Sequence, residues 1–291
     1  MRPETYGGRA DLLTGIDKAP AAGQDCPCMA TERDWYDTPL YYDIIFDADT
    51  PREAAFLEAL HQRHGRPLRR RPRLLEPACG SGRLLLAMAR RGWQVSGFDG
   101  NPSMLAFARQ RLRKAAVRAR LWQDWLQSFE APKSMGKVDL AHILVSSFKY
   151  LLSEQDACNC LRRIANALHP GGLMVLGIHL SDDQNRDGEV ERWSASRGRI
   201  KVRCETRTQP AQKRRRLEDI STCLSIRDGS KTHRQITHWQ FRTYNAAQVR
   251  QLLRALPEFE LLACHDFQHD IQAERRLDDE YSDIVLVLRR R

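Results

Sequence analysis

No run of roughly 18 apolar residues occurs in the 291-residue sequence, the length a helix needs to cross a hydrocarbon core. The opening Met1-Arg2-Pro3-Glu4 carries no apolar stretch either. A secretory leader is therefore not expected, and a cytoplasmic location is the default expectation. Cysteines number eight, but they are scattered. Cys26-Pro27-Cys28 and Cys158-Asn159-Cys160 are close pairs, and neither has a second pair at zinc-site spacing. No metal is expected, and the thiols read as reduced structural groups. No internal repeat divides the chain. Aromatics are few, at 8%, and they are not interleaved with the basic segments as base-stacking platforms require.

Basic residues, by contrast, are in excess, giving a formal net charge of +10. That charge permits an acidic partner, nucleic acid included. The arginines gather at residues 66–73, 197–216 and 289–291. A solvated basic surface is the simpler reading. At 42% hydrophobic and 29% charged, the chain is an ordinary globular sequence, and its length suits one core domain with insertions.

Residues 1–30 are rich in Gly, Ala and Pro without apolar period and read as a disordered tail. Residues 31–66 read as an N-terminal helical cap, with Trp35, Tyr36, Tyr41, Tyr42 and Phe46 ahead of a helix that Pro51 opens and His64 closes. From 67 to 181, short apolar runs alternate with amphipathic stretches. That alternation predicts a mostly parallel sheet with helices on both faces, an α/β core. Residues 182–244 break the pattern. Within them, 182–198 reads as a polar loop, and 200–206, 216–226 and 233–243 read as three strands of an antiparallel lid. Residues 245–291 return to the core with a helix and two strands, the second a buried Ile284-Val285-Leu286-Val287-Leu288 run.

The chemistry gathers around Leu74-Leu75-Glu76-Pro77-Ala78-Cys79-Gly80-Ser81-Gly82, a strand and a tight glycine turn before a helix. Such turns let a ligand approach the backbone. Asp99 ends the next strand, where a carboxylate can accept hydrogen bonds from ribose hydroxyls. A nicotinamide fingerprint would need a third glycine where Leu85 stands, and Glu76 would repel a pyrophosphate. Glu76 suits a ligand that is cationic at that point, such as an amino group.

These residues resemble the first motifs of class I S-adenosylmethionine-dependent methyltransferases. Glu76 to Gly82 and Gly97-Phe98-Asp99-Gly100-Asn101-Pro102-Ser103-Met104 are similar to the first two, and Asp124-Trp125 to the third. Val138-Asp139-Leu140 and Leu168-His169-Pro170-Gly171-Gly172 extend the likeness over residues 74–180. The resemblance implies a doubly wound, seven-stranded, mostly parallel sheet with an antiparallel lid insertion. It implies S-adenosyl-L-methionine as cofactor, with Glu76, Ala78, Gly80 and Gly82 at the methionine part. Asp99 would lie at the ribose, and Met104, Asp124 and Trp125 at the adenine. Ala78 departs from the family, which usually has glycine there.

The acceptor is less legible. Ser146-Ser147-Phe148-Lys149-Tyr150 stands where nucleobase amine methylases carry an Asn/Asp-Pro-Pro-aromatic motif, and no Pro-Cys nucleophile is present. Tyr41-Tyr42 and the lid resemble small-molecule N- or O-methyltransferases of the glycine and aminosugar type. Tyr42 and His179 are the candidate catalytic residues. His265 is a further possible base, and mid-strand His142 reads as a satisfied core residue. The expected partner is a small-molecule acceptor. Methylation of RNA or protein, and a non-catalytic cofactor-binding role, are the rival readings.

Overall fold

The computed structural model describes residues 30–67, 70–181 and 188–291. The expected disordered tail, save residue 30, lies outside the described residues, as do Cys26, Cys28 and Arg69. A two-residue strand, β1 (Thr31–Glu32), opens the described chain where the sequence suggested only helix. The aromatic segment then forms a 3-10 turn at Trp35–Asp37 and helix α1 (Pro39–Phe46), with α2 (Thr50–His64) after it. Proline near the first position of each helix fits the free amides there.

The core follows as β2 (Arg73–Pro77), α3 (Arg83–Arg90), β3 (Gln94–Asp99), α4 (Pro102–Lys114), β4 (Ala119–Gln123), β5 (Val138–Ile143), α5 (Glu154–Ala167) and β6 (Leu168–His179). Asn101 caps α4 by accepting from Met104 N, and Ser153 caps α5 through Asp156 N, as their short polar side chains dictate. After the lid come α6 (Ala246–Arg254), β11 (Phe259–His265) and β12 (Asp283–Arg290). The sheet order is β11-β12-β6-β5-β2-β3-β4. β12 runs antiparallel to its neighbours, whereas β2 to β6 pair in parallel. Residues Ile284 to Leu288 are 0% exposed because both faces of β12 are covered. On one face Leu57, Leu84, Leu85 and Leu105 pack against the sheet, and on the other Leu161, Ile164, Val249 and Leu252 do so. The chain winds outward in both directions from the β2–β5 seam. That reversal leaves a crevice at the carboxyl ends of those two strands.

The lid is β7 (Glu189–Arg197), β8 (Ile200–Thr208), β9 (Leu217–Asp228) and β10 (Lys231–Arg242), in the order β1-β10-β9-β8-β7. The sequence reading of 182–198 as loop is corrected here: residues 189–197 form a full strand paired antiparallel with β8. β7 lies at the sheet edge, where charged side chains guard the unpaired backbone, and those charges masked its alternation. Cap and lid share one core: Trp35, Ile44 and Ile45 pack on Val202, Cys204, Leu224 and Ile226.

Candidate active site

The turn after β2 reverses the chain with three left-handed residues: Ala78 at φ 53°, Gly80 at 50° and Gly82 at 71°. Gly82 also admits no side chain, since a Cβ there would stand 2.9 Å from the Ala108 Cβ of α4. Ala78 carries a Cβ into the same region and bears the steric cost. Asp99, at the tip of β3, holds the turn. One carboxylate oxygen accepts from Gly80 N at 2.8 Å and the other from Asn101 N at 2.8 Å. Burial raises the Asp99 pKa, and these two backbone donors oppose it.

Glu76 is 7% exposed, and its Oε2 has no hydrogen-bond partner. Burial pushes its pKa up to about 8; Arg83 opposes the rise, while Glu53 and Asp99 add to it. Arg83 is itself buried and committed to Glu53 through a bidentate pair, with Thr50 Oγ1 a further acceptor at 3.0 Å. Burial disfavours the Glu53 carboxylate, yet Arg83 prevails and holds it below the usual range. An orphaned, buried carboxylate oxygen at the mouth of a glycine turn is the acceptor that a ligand ammonium requires. The residues present thus fit the methionine end of S-adenosylmethionine.

Around this turn, Tyr42, Glu76, Ala78, Gly80, Arg83 and His142 line one cavity. The Tyr42 ring lies across Gly80, 3.9 Å from where a Cβ would be. His142 departs from the satisfied core residue that the sequence suggested. It is 1% exposed, its Nε2 has no partner, and burial lowers its pKa to about 3. Burial is the largest cause of that fall, Glu53 opposes it and Arg83 adds to it, so the ring stays neutral.

The residues expected at the adenine are less concentrated. Met104 is fully buried in the first turn of α4. Trp125 is 59% exposed, and its ring covers Gly100, where a Cβ would come within 2.7 Å. Asp124 accepts from Trp125 N and Glu130 N, shaping its own loop.

A second cavity lies between cap, core and lid. Tyr42, Val145 and Ser147 line both cavities, so the two adjoin. Val145 and Ser146 sit consecutively at φ 55° and 62°, a costly backbone for a β-branched residue, held at the end of β5. Trp35, Tyr36, Tyr150, Trp193, Trp239 and Phe241 supply aromatic walls, and Glu189, Glu191 and Glu218 supply carboxylates. Glu218 accepts from buried Lys149 at 2.8 Å, joining lid to core. His179 also lines this cavity, with Nδ1 2.8 Å from Asp283 Oδ1. His265 lies elsewhere, its Nδ1 against the Asp270 carbonyl.

Several of these residues carried no signal in the sequence. Asp43, 0% exposed on α1, joins three elements. It accepts from Ser81 Oγ at 2.6 Å and from Arg197 Nη1 at 2.7 Å, and it pairs with Arg111. A lone aspartate between Tyr42 and Ile44 was the available hint. The lid carboxylates and tryptophans had no local mark. Among the described residues, no group of three His, Cys, Asp or Glu side chains could hold a metal ion. Nor, among them, is any helix long and apolar enough to cross a membrane.

Residues 74–172 match a family model described as a methyltransferase domain. The chain is 29% identical over 111 residues to the putative methyltransferase YqeM of Bacillus subtilis, covering 38% of this chain and 43% of that protein. It is 31% identical over 120 residues to the glycine/sarcosine N-methyltransferase of Halorhodospira halochloris, covering 41% of this chain and 42% of that one. The chain thus spans about half or less of the curated relatives it matches. The structure of the sugar N-methyltransferase KedS8 from Streptoalloteichus superposes with a TM-score of 0.64 at 16% identity, covering 94% of this chain and 100% of that one. Motif, strand order and matches agree: residues 74–172 are a methyltransferase domain, and the sheet around them has the class I S-adenosylmethionine-dependent methyltransferase fold.

Proposed function

We propose that this chain uses S-adenosylmethionine to methylate a small molecule at nitrogen or oxygen, with an amine as the favoured acceptor. The observation that carries this reading is the pair of adjoining cavities, one at the glycine turn and one walled by aromatics and carboxylates, with Tyr42, Val145 and Ser147 common to both. The cofactor, when bound, supplies a methyl group on a cationic sulfur. Glu76 would hold its ammonium, Asp99 its ribose, and Asp124 with Trp125 its adenine, while Tyr42 offers a ring face to the positive charge. Carboxylates among aromatic rings suit an acceptor that arrives as a cation. Enclosure by cap and lid orients acceptor and methyl, and methyl transfer draws much of its acceleration from orientation. A nitrogen acceptor agrees with one sequence relative, a glycine/sarcosine N-methyltransferase, and one structural neighbour, a sugar N-methyltransferase.

The basic segments offer less support for RNA or protein as acceptor. Arg66 and Arg70 lie against buried Asp139, and Arg216 pairs with Glu154. Arg71, Arg73, Arg118 and Arg120 line a concavity near the amino ends of β2 to β4, at the opposite end of the sheet from Glu76 and Asp99. The test is calorimetry with S-adenosylmethionine, followed by incubation with methyl-labelled cofactor and a metabolite extract. Label in a small amine supports the proposal. Label in RNA or protein, or NADH binding more tightly than S-adenosylmethionine, overturns it.

A further inference from the structure

We infer that His179, held by Asp283, is the general base that takes a proton from the acceptor in the cavity beneath the lid. The inference rests on the amine reading above. His179 is the last residue of β6, and Asp283 is its registered partner at the start of β12. Their side chains meet at 2.8 Å, with Asp283 6% exposed. The backbone N–H of His179 donates to Ser146 Oγ at 2.9 Å, tying the end of β6 to the strained turn that borders both cavities. A carboxylate on Nδ1 fixes the tautomer with its proton there, which leaves Nε2 as the acceptor. His179 lines the cavity, and there this lone pair would meet the acceptor.

The other groups around the cavity suit this task less well. Burial raises the pKa of Tyr36, Tyr42 and Tyr150, so these hydroxyls keep their protons. Lys149 and Glu218 are spent on each other. Glu189 and Glu191, across on β7, attract a cation, but a carboxylate is a weak base toward an ammonium. A bound ammonium has no lone pair and cannot attack. When its N–H bond breaks, the proton passes to Nε2 and the electron pair stays on nitrogen. That pair forms the new N–C bond while the C–S bond breaks and its electrons leave with sulfur. The imidazolium then returns its proton to water. Asp283 is a positioning residue that orients the ring through its contact with Nδ1.

The test uses the full chain, labelled S-adenosylmethionine and the amine fraction of a bacterial extract retained on a cation exchanger. Initial rates are measured against pH for wild type, His179→Gln and Asp283→Asn, with cofactor affinity by calorimetry as control. His179→Gln is expected to bind the cofactor as wild type does and to lose at least about 100-fold in rate at neutral pH. Its deficit should shrink as pH rises and the amine deprotonates unaided, and added imidazole should restore part of the rate. Asp283→Asn should shift the acidic limb of the profile with a smaller loss. Should His179→Gln fail to fold, His179→Asn and the Asp283→Asn profile carry the same test. Wild-type rate and profile in both variants would overturn the inference while leaving the methyltransferase reading intact. A wild type that binds cofactor yet labels no amine would remove the amine reading, and the inference with it.

Discussion

The pKa of Glu76 makes cofactor binding a proton-linked event. Burial places that pKa at about 8 in the ligand-free protein, so at neutral pH the side chain is mostly protonated. A ligand ammonium seated against Oε2 requires the carboxylate, and the proton must leave as the ligand enters. With a free-state value of about 8 and a much lower bound value, affinity should tighten about eightfold between pH 6.5 and 7.5. Binding at pH 7 should release about 0.9 proton per site. Calorimetry in buffers of different ionisation enthalpy reads both quantities. The ligand-free fold responds in the opposite sense. A carboxyl whose folded pKa exceeds its unfolded value binds more protons when folded, so stability falls as pH rises from about 4.5 toward 8. The full cost of ionisation is about 5 kcal/mol. Glu76→Gln should abolish the proton release, flatten both profiles and weaken binding most at pH 7.5. A wild-type affinity that is flat over this range, with no proton released, would refute the reasoning.

Three further outcomes follow from the same geometry. Ala78→Gly relieves a left-handed Cβ worth about 1–2 kcal/mol against roughly 0.5–1 kcal/mol of added chain entropy, so the urea midpoint should rise slightly. A fall would mean that the Ala78 Cβ packs favourably. Glu53→Gln strands the buried Arg83 guanidinium and should cost about 3–5 kcal/mol in denaturant unfolding, against little change if water compensates. Asp99→Ala should weaken S-adenosylmethionine binding by roughly tenfold or more, at about 1.5–3 kcal/mol per ribose hydrogen bond. It should also lower stability, since Gly80 N and Asn101 N lose their acceptor. Equal calorimetric affinity in the variant would remove Asp99 from the site.

What was legible in the sequence is what local chemistry dictates. The glycine turn, Asp99 at a strand tip and the fully apolar β12 each declare themselves within a few residues. Hydrogen bonding and one-sided burial act over a turn of helix or a strand, so periodicity records them. The alternation of strands and helices announced the mostly parallel α/β core, whereas the doubly wound arrangement and the roles of Glu76 and Asp99 were implied by the resemblance of the motifs. Other features depended on partners distant in the chain. Asp43 became a buried node only when Arg111, Arg197 and Ser81 converged on it from three elements. β7 read as loop because its charges suit an edge, and being an edge is a property of the assembled sheet. His142, in an apolar run, looked like satisfied core, and only the packed structure shows that its Nε2 has no partner and that the residue lines a cavity. The acceptor chamber likewise exists only in the tertiary structure, because its walls come from segments of cap, core and lid that no local pattern links.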